Sequence, residues 1–95
     1  MPTEEQTYDA LKYNVEITPS GVRFYYNHLG QLHREDGPAV MYPNGTSTWF
    51  RNGLRHREDG PAVIWADGSR DWYLNGTYYS ETVHRRAMQQ AARNF

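Results

Sequence analysis

HREDGPAV occurs twice, at His33–Val40 and at His56–Val63, letter for letter and 23 residues apart. Eight consecutive identities at one fixed shift in 95 residues mark an internal repeat, and the repeat decides the fold. The same shift maps Tyr26 onto Trp49 and Trp72, Gly30 onto Gly53 and Gly76, and Gly45 onto Gly68. A third copy opens at Ser69 and decays after Asn75-Gly76, where Tyr79 takes the place of the His and Ser80 that of the Arg.

Working outward from the blocks, each copy carries two hairpin signals. Asn44-Gly45, Asn52-Gly53, Asp67-Gly68 and Asn75-Gly76 accept positive φ at both centres of a two-residue turn. Short β-rich runs such as Thr46–Arg51 and Ala62–Ala66 lie between them. Leu29-Gly30 breaks the pattern, since Leu resists the left-handed region, so a longer Gly-bulged loop is expected there. Pro38 and Pro61 fall at strand starts, where a missing N–H is tolerated.

If all four Asn/Asp-Gly pairs are two-residue loops, the register follows. Trp49 then faces His56, Trp72 faces Tyr79, Val40 pairs with Trp49 and Val63 with Trp72. One face carries Val40, Tyr42, Trp49, Leu54, His56, Val63, Trp65, Trp72, Leu74 and Tyr79 and reads as core. The other mixes Met41, Thr48, Phe50, Arg55, Arg57, Ile64, Asp71, Tyr73 and Tyr78.

The flanks read differently. Thr3 with Gln6 suits a short capped helix, and Tyr13, Val15 and Ile17 alternate like an edge strand before a turn at Pro19-Ser20-Gly21. From Ser80, an apt N-cap followed by Glu81, a helix is expected to run to Phe95. Its His84, Met88, Ala91 and Phe95 share a face with Ala87 beside them, and that stripe is expected to cover the tryptophans. His84 on this face reads as a buried packing histidine, and Arg85-Arg86 as a solvated pair. The expected architecture is mainly β (α+β): one antiparallel sheet of tandem hairpins with a C-terminal helix on one face, in a single domain. Within it, 1–21 form an N-terminal segment, 22–79 the repeats and 80–95 the helix.

The pattern Trp49-Phe50-x-Asn52-Gly53-x-x-His56, with Asp67-Gly68 further on, resembles the MORN repeat. That family is also built of 23-residue β-hairpin units with an aromatic, an Asn-Gly turn and a following His-Gly. Here the His leads into Arg-Glu-Asp-Gly-Pro-Ala, a variant similar to repeats in small proteins of bacteriophages and large viruses. The resemblance spans about residues 22–79. It implies scaffolding, protein contacts or lipid binding, and for a phage protein of this size the inhibition of a host defence system, such as an anti-CRISPR role, or of a host enzyme.

Composition narrows the partner. Net charge is −1, against a general nucleic-acid binder and against a protein drawn to anionic membranes. With no Cys, disulfides, thiolate metal sites and a Cys nucleophile are excluded, and a reducing cytoplasm suits the chain. The acidic start MPTEEQTYDALKY lacks the apolar run of a secretory signal, and no stretch approaches a spanning helix. Bases are 9 Arg to one Lys, and aromatics make up 15% of the chain. Arg stacks on rings and forks onto carboxylates, which serves a protein interface or simply cements an aromatic sheet.

The two His-Arg-Glu-Asp blocks invite a hydrolytic or metal reading. Copies one repeat apart stand two strands apart, roughly 9–10 Å, so one metal with ~2 Å bonds to nitrogen would need the His33 and His56 side chains both bent inward. An active site has no need of two copies. The structural reading pairs Arg34 and Arg57 with loop carboxylates while Asp36 and Asp59 cap the turns. No cofactor motif or nucleophile–base set is visible, so the chain is expected to be a non-enzymatic binder needing no cofactor. The expected partner-binding residues are Phe50, Arg55, Arg57, Tyr73, Tyr78, Met41 and Ile64. They would meet a host protein or a second copy of the chain. The alternative is a nucleotide or nucleic-acid reader that stacks bases on Arg and aromatic side chains.

Overall fold

Two kinds of reverse turn, one of two residues and one of three, fold the chain into an antiparallel sheet. The structure is a computed structural model that describes residues 11–93; the Thr3–Gln6 cap and Phe95 lie outside the described residues. Its strands are β1 (Asn14–Ile17), β2 (Arg23–Tyr26), β3 (Val40–Met41), β4 (Ser47–Thr48), β5 (Phe50–Arg51), β6 (Leu54–Arg55), β7 (Val63–Ile64), β8 (Arg70–Leu74) and β9 (Thr77–Tyr79). Helix α1 (Glu81–Arg93) follows. The sheet order is β1-β2-β3-β4-β7-β8-β9, with β5-β6 a separate hairpin, and every pairing is antiparallel.

The tight turns form as the sequence predicts. Asn52 and Asn75 both have φ 49°, and Gly53 and Gly76 follow at 85° and 83°, the left-handed pair of a type I′ loop. Phe50 therefore faces Arg55, Tyr73 faces Tyr78 and Trp72 faces Tyr79.

The other turns are one residue longer than predicted. Tyr42 N–H donates to Thr46 O and Trp65 N–H to Ser69 O, so Pro43 and Ala66 enter the loops ahead of Asn44-Gly45 and Asp67-Gly68. The Asn44 and Asp67 side chains each accept the N–H two residues on (2.9 Å in both cases), which holds a type I turn and leaves only the Gly left-handed. Thr18–Val22 closes the same loop around Gly21, so the edge strand and its turn are a further copy of the pattern.

That one residue reverses part of the predicted facing. Val40 pairs with Thr48, not Trp49, and Val63 with Asp71, not Trp72. Thr48, predicted on the mixed face, is buried, whereas Tyr42, Leu54 and Trp65, predicted in the core, are exposed. Trp65 instead hydrogen-bonds Asp71 Oδ2 through its indole N–H (2.8 Å).

The repeated block interrupts a strand. His33 N–H donates to Tyr25 O (3.0 Å) and Arg34 N–H to Phe50 O (3.1 Å). The chain then leaves the sheet and returns at Ala39, whose carbonyl accepts Tyr25 N–H and whose N–H reaches Thr48 O (both 2.8 Å). His56, Arg57 and Ala62 repeat this on Trp49, Tyr73 and Asp71. Ala39 and Ala62 are fully buried.

The counterpart of Trp49 is therefore Tyr25, not Tyr26 as the constant 23-residue shift implies. The expected longer loop at Leu29-Gly30 has three residues, His28 to Gly30, and it adds one residue to the spacing before it. Its form has a physical cause. In the later turns the Asn and Gly N–H groups are met by the preceding copy: Asn52 by His33 Nδ1, Asn75 by His56 Nδ1 (2.9 Å each), Gly53 by Leu32 O and Gly76 by Arg55 O. The first turn has no block before it. The Asn27 side chain supplies the acceptor instead, taking both Leu29 and Gln31 N–H (3.0 Å each).

A small core sits beside β2. Tyr13 meets Tyr25 edge-on at 5.7 Å between ring centroids, with Ala39 beneath and Phe50 packed alongside. At the other end Ser80 caps α1, its Oγ accepting Val83 N–H, and α1 packs on the sheet at β8. His84 is buried and bonds Arg57 O through Nε2 (2.6 Å). The predicted stripe holds only near the start of the helix: Ala87 and Met88 are half-buried but Ala91 is exposed.

Candidate functional site

The two blocks are built alike from the ring upward. The Arg34 guanidinium stacks 4.1 Å from the Tyr25 ring centroid, and that of Arg57 3.9 Å from Trp49. Each Nη1 donates to a proline carbonyl across the strand break, Arg34 to Pro38 O (3.2 Å) and Arg57 to Pro61 O (3.1 Å). Arg57 Nε also donates to Asp59 (3.0 Å). Arg34 Nε stands 3.4 Å from Asp36 Oδ1, an ion pair without hydrogen-bond alignment, and Asp36 also receives Tyr13 OH (3.3 Å). A Cβ on Gly60 or Gly37 would approach the guanidinium carbon to 2.8 or 3.0 Å, so the glycine of each block makes room for the stack.

The histidines are clamps between copies. Since each Nδ1 accepts a backbone N–H, the neutral ring carries its proton on Nε2. Nε2 of His56 faces Glu58 Oε1 at 3.3 Å and that of His33 faces Glu35 at 3.6 Å. Arg51 Nη1 shares the Glu58 oxygen (3.2 Å). Both Nδ1 atoms are thus engaged by the fold, and among the described residues no three His, Asp or Glu side chains converge to hold a metal.

The blocks leave a pH signature. The hydrogen bond from His56, followed by that from Arg51, holds the Glu58 carboxyl below the usual range, and Lys12 does the same for Glu35. A carboxyl depressed by folding contributes stability above its unfolded pKa of about 4.3, lost as pH falls through the folded value. Stability to urea is therefore expected to decline below about pH 4.3. Glu58→Gln should flatten that decline; an unchanged pH profile in this variant would contradict the pairing.

The predicted recognition residues separate into three groups. Arg55, Tyr73 and Tyr78 form one cluster: the Arg55 guanidinium lies 5.4 Å from the Tyr73 centroid, and the Tyr73 and Tyr78 rings meet edge-on at 5.7 Å. Tyr78 is 59% exposed and Arg55 is exposed. Phe50 and Arg57 are engaged elsewhere, Phe50 against Tyr13, Tyr25 and Ala39, and Arg57 on Trp49. Met41 and Ile64 both lie opposite Ser47, and Ile64 faces Arg70. Arg70 alternates with Tyr73 along β8, so that pair looks out from the other side of the sheet.

Open grooves lie between successive blocks on the tryptophan side. The first, about 330 Å³, has Trp49, Arg57 and Arg51 among its walls; the second, about 260 Å³, has Trp72, Arg70 and the first turn of α1. The second was not anticipated from the sequence, although Ser80 in the place of Arg was its one visible sign.

Fold and surface together describe an antiparallel β-hairpin protein with an Arg-on-aromatic stack in each of the two blocks and, among the described residues, an Arg–Tyr–Tyr cluster whose Arg55 and Tyr78 are exposed. No protein-family model, curated protein or solved structure matches the chain.

Proposed function

We propose that this chain is a non-catalytic protein-binding module of MORN-like repeats that engages its target through Arg55, Tyr73 and Tyr78. The observation that carries the reading is the exposure of Tyr78 within an aromatic pair already ordered by Arg55. Rings held in place lose little rotamer freedom on binding, and Tyr and Arg dominate interface hot spots. The block chemistry supports the non-catalytic half, because its His, Arg and Asp groups are committed to turns, rings and carbonyls. The resemblance to phage and viral repeats makes the target a host protein, with inhibition of a host defence system or enzyme as the outcome, in the host cytoplasm. No helix among the described residues is long and apolar enough to cross a membrane.

Capture of the target from a host lysate, followed by titration of variants, tests this. Tyr73→Ala and Tyr78→Ala are each expected to weaken binding about 30-fold, the equivalent of ~2 kcal/mol at a hot spot. Melting of the Tyr78→Ala protein should change little. Light scattering separates a target from a second copy: concentration-dependent dimers abolished by Tyr78→Ala would assign the cluster to self-association. Salt-sensitive binding of oligonucleotides would favour the nucleic-acid reading. Wild-type affinity in both variants would sink the surface assignment.

A further inference from the structure

We infer that the groove beside Trp72 is a binding site for an arginine side chain presented by a partner protein. The site lies on the face opposite Tyr73, and it stands or falls independently of the Arg55–Tyr73–Tyr78 surface.

The internal copies show what this position holds. Tyr25, Trp49 and Trp72 occupy equivalent places in successive copies: the first two carbonyls receive His33 and His56 N–H, and Trp72 pairs with Tyr79, which stands where the histidines stand. Over the first two rings a guanidinium from the next residue lies at 4.1 and 3.9 Å. In the third copy that next residue is Ser80, whose hydroxyl is used as the cap of α1. Among the described residues no cation stacks on the Trp72 ring. Arg70 and Arg85 both border the groove, but Arg85 is paired with Glu81 (3.1 Å).

The groove also has the shape and charge for the missing chemistry. Trp72 is half-buried, so part of its ring is open to a ligand. The walls bring Glu58, Asp59 and Glu81 around it, against Arg70 and Arg85. Asp59 is 87% exposed and Glu81 51%, so both retain lone pairs for new donors. A planar guanidinium can stack on an indole and donate in plane to carboxylates at the same time, as Arg57 does with Trp49 and Asp59. An ammonium cannot do both with one flat face. About 260 Å³ suits one such side chain and not a folded element.

Titration of the full chain with N-acetyl-arginine amide, followed through the three tryptophan indole N–H resonances, tests the inference. The Trp72 resonance should move saturably. That of Trp49, whose ring already carries Arg57, should stay still. The uncharged citrulline analogue should bind at least tenfold more weakly, and the lysine analogue severalfold more weakly. Trp72→Phe, which keeps a ring, should retain binding reduced about threefold, and Trp72→Leu should abolish it. If the Trp72 resonance does not shift, if Trp49 and Trp72 shift together, or if citrulline binds as well as arginine, the inference is overturned. The wild-type titration decides it even if the Leu variant fails to fold. Retained target binding by Tyr78→Ala would leave it untouched.

Discussion

Tyr25→Ala should cost this protein about 3–5 kcal/mol, the range for deleting a fully buried aromatic, and lower its melting temperature by roughly 15–30 °C. Tyr25 is 1% exposed and has several neighbours that depend on it. Tyr13 stands edge-on to its ring, Arg34 lies flat on it, and Arg23 Nη1 donates to its hydroxyl (3.3 Å). Removing the ring opens a cavity and also strands a nearly buried guanidinium, whose Nε lacks a well-aligned acceptor even in the intact protein. A domain with 5–15 kcal/mol in total has little reserve for such a loss. Tyr25→Phe keeps ring and stack and is expected to cost no more than about 1.5 kcal/mol. Thermal melts of the two variants check the difference. Equal melting points would mean that the ring is not the anchor of the first repeat.

The second large effect is expected at the other end. Deleting residues 81–95 removes α1, which packs on β8 and closes the last repeat. Arg57 O loses its bond from His84, and Trp72 loses one wall of its groove. The outermost strands β8 and β9 are left with aromatics facing water on both sides, and a thin sheet without a covered face is marginal. The truncated chain should lose its cooperative melt and aggregate. His84→Ala isolates one part of this: leaving the part-buried Arg57 carbonyl without its donor should cost no more than about 1–3 kcal/mol. A soluble truncation that melts as sharply as the full chain would show that the repeats are self-sufficient.

Both ends show how a repeat array is terminated. The interior turns lean on the histidine of the preceding block, so the first turn needs another acceptor and the last block has no turn to receive. Asn27 meets the first need. Tyr79 and Ser80 at the last block remove the His and Arg that a further copy would use, and Ser80 starts a helix instead. Terminal units of a repeat protein must satisfy themselves in this way or continue into another molecule.

Much of this was legible in the letters. The duplicated HREDGPAV established tandem hairpins, and Asn52-Gly53 and Asn75-Gly76 specified type I′ turns and the pairs across them, because few residues besides Asn and Gly accept left-handed φ cheaply. Ser80 followed by Glu81 placed the start of α1. The doubling of the block pointed to Arg34 and Arg57 pairing with loop carboxylates, which Asp36 and Asp59 supply, but not to the stacking on Tyr25 and Trp49.

Loop length was not legible. Asn44-Gly45 and Asn52-Gly53 look the same as dipeptides, and only the residue in front and its hydrogen bonds make one loop longer. A slip of one residue exchanges the faces of a strand, which is why Thr48 is buried, Trp65 is exposed, and Met41 and Ile64 are parted from Tyr73 and Tyr78. The sequence by itself determined the repeat, the tight turns and the capped helix, because each rests on the local conformational preference of a few residues. Only the tertiary structure decided which aromatics are covered by an arginine and which are not, because that depends on register summed across strands far apart in the chain.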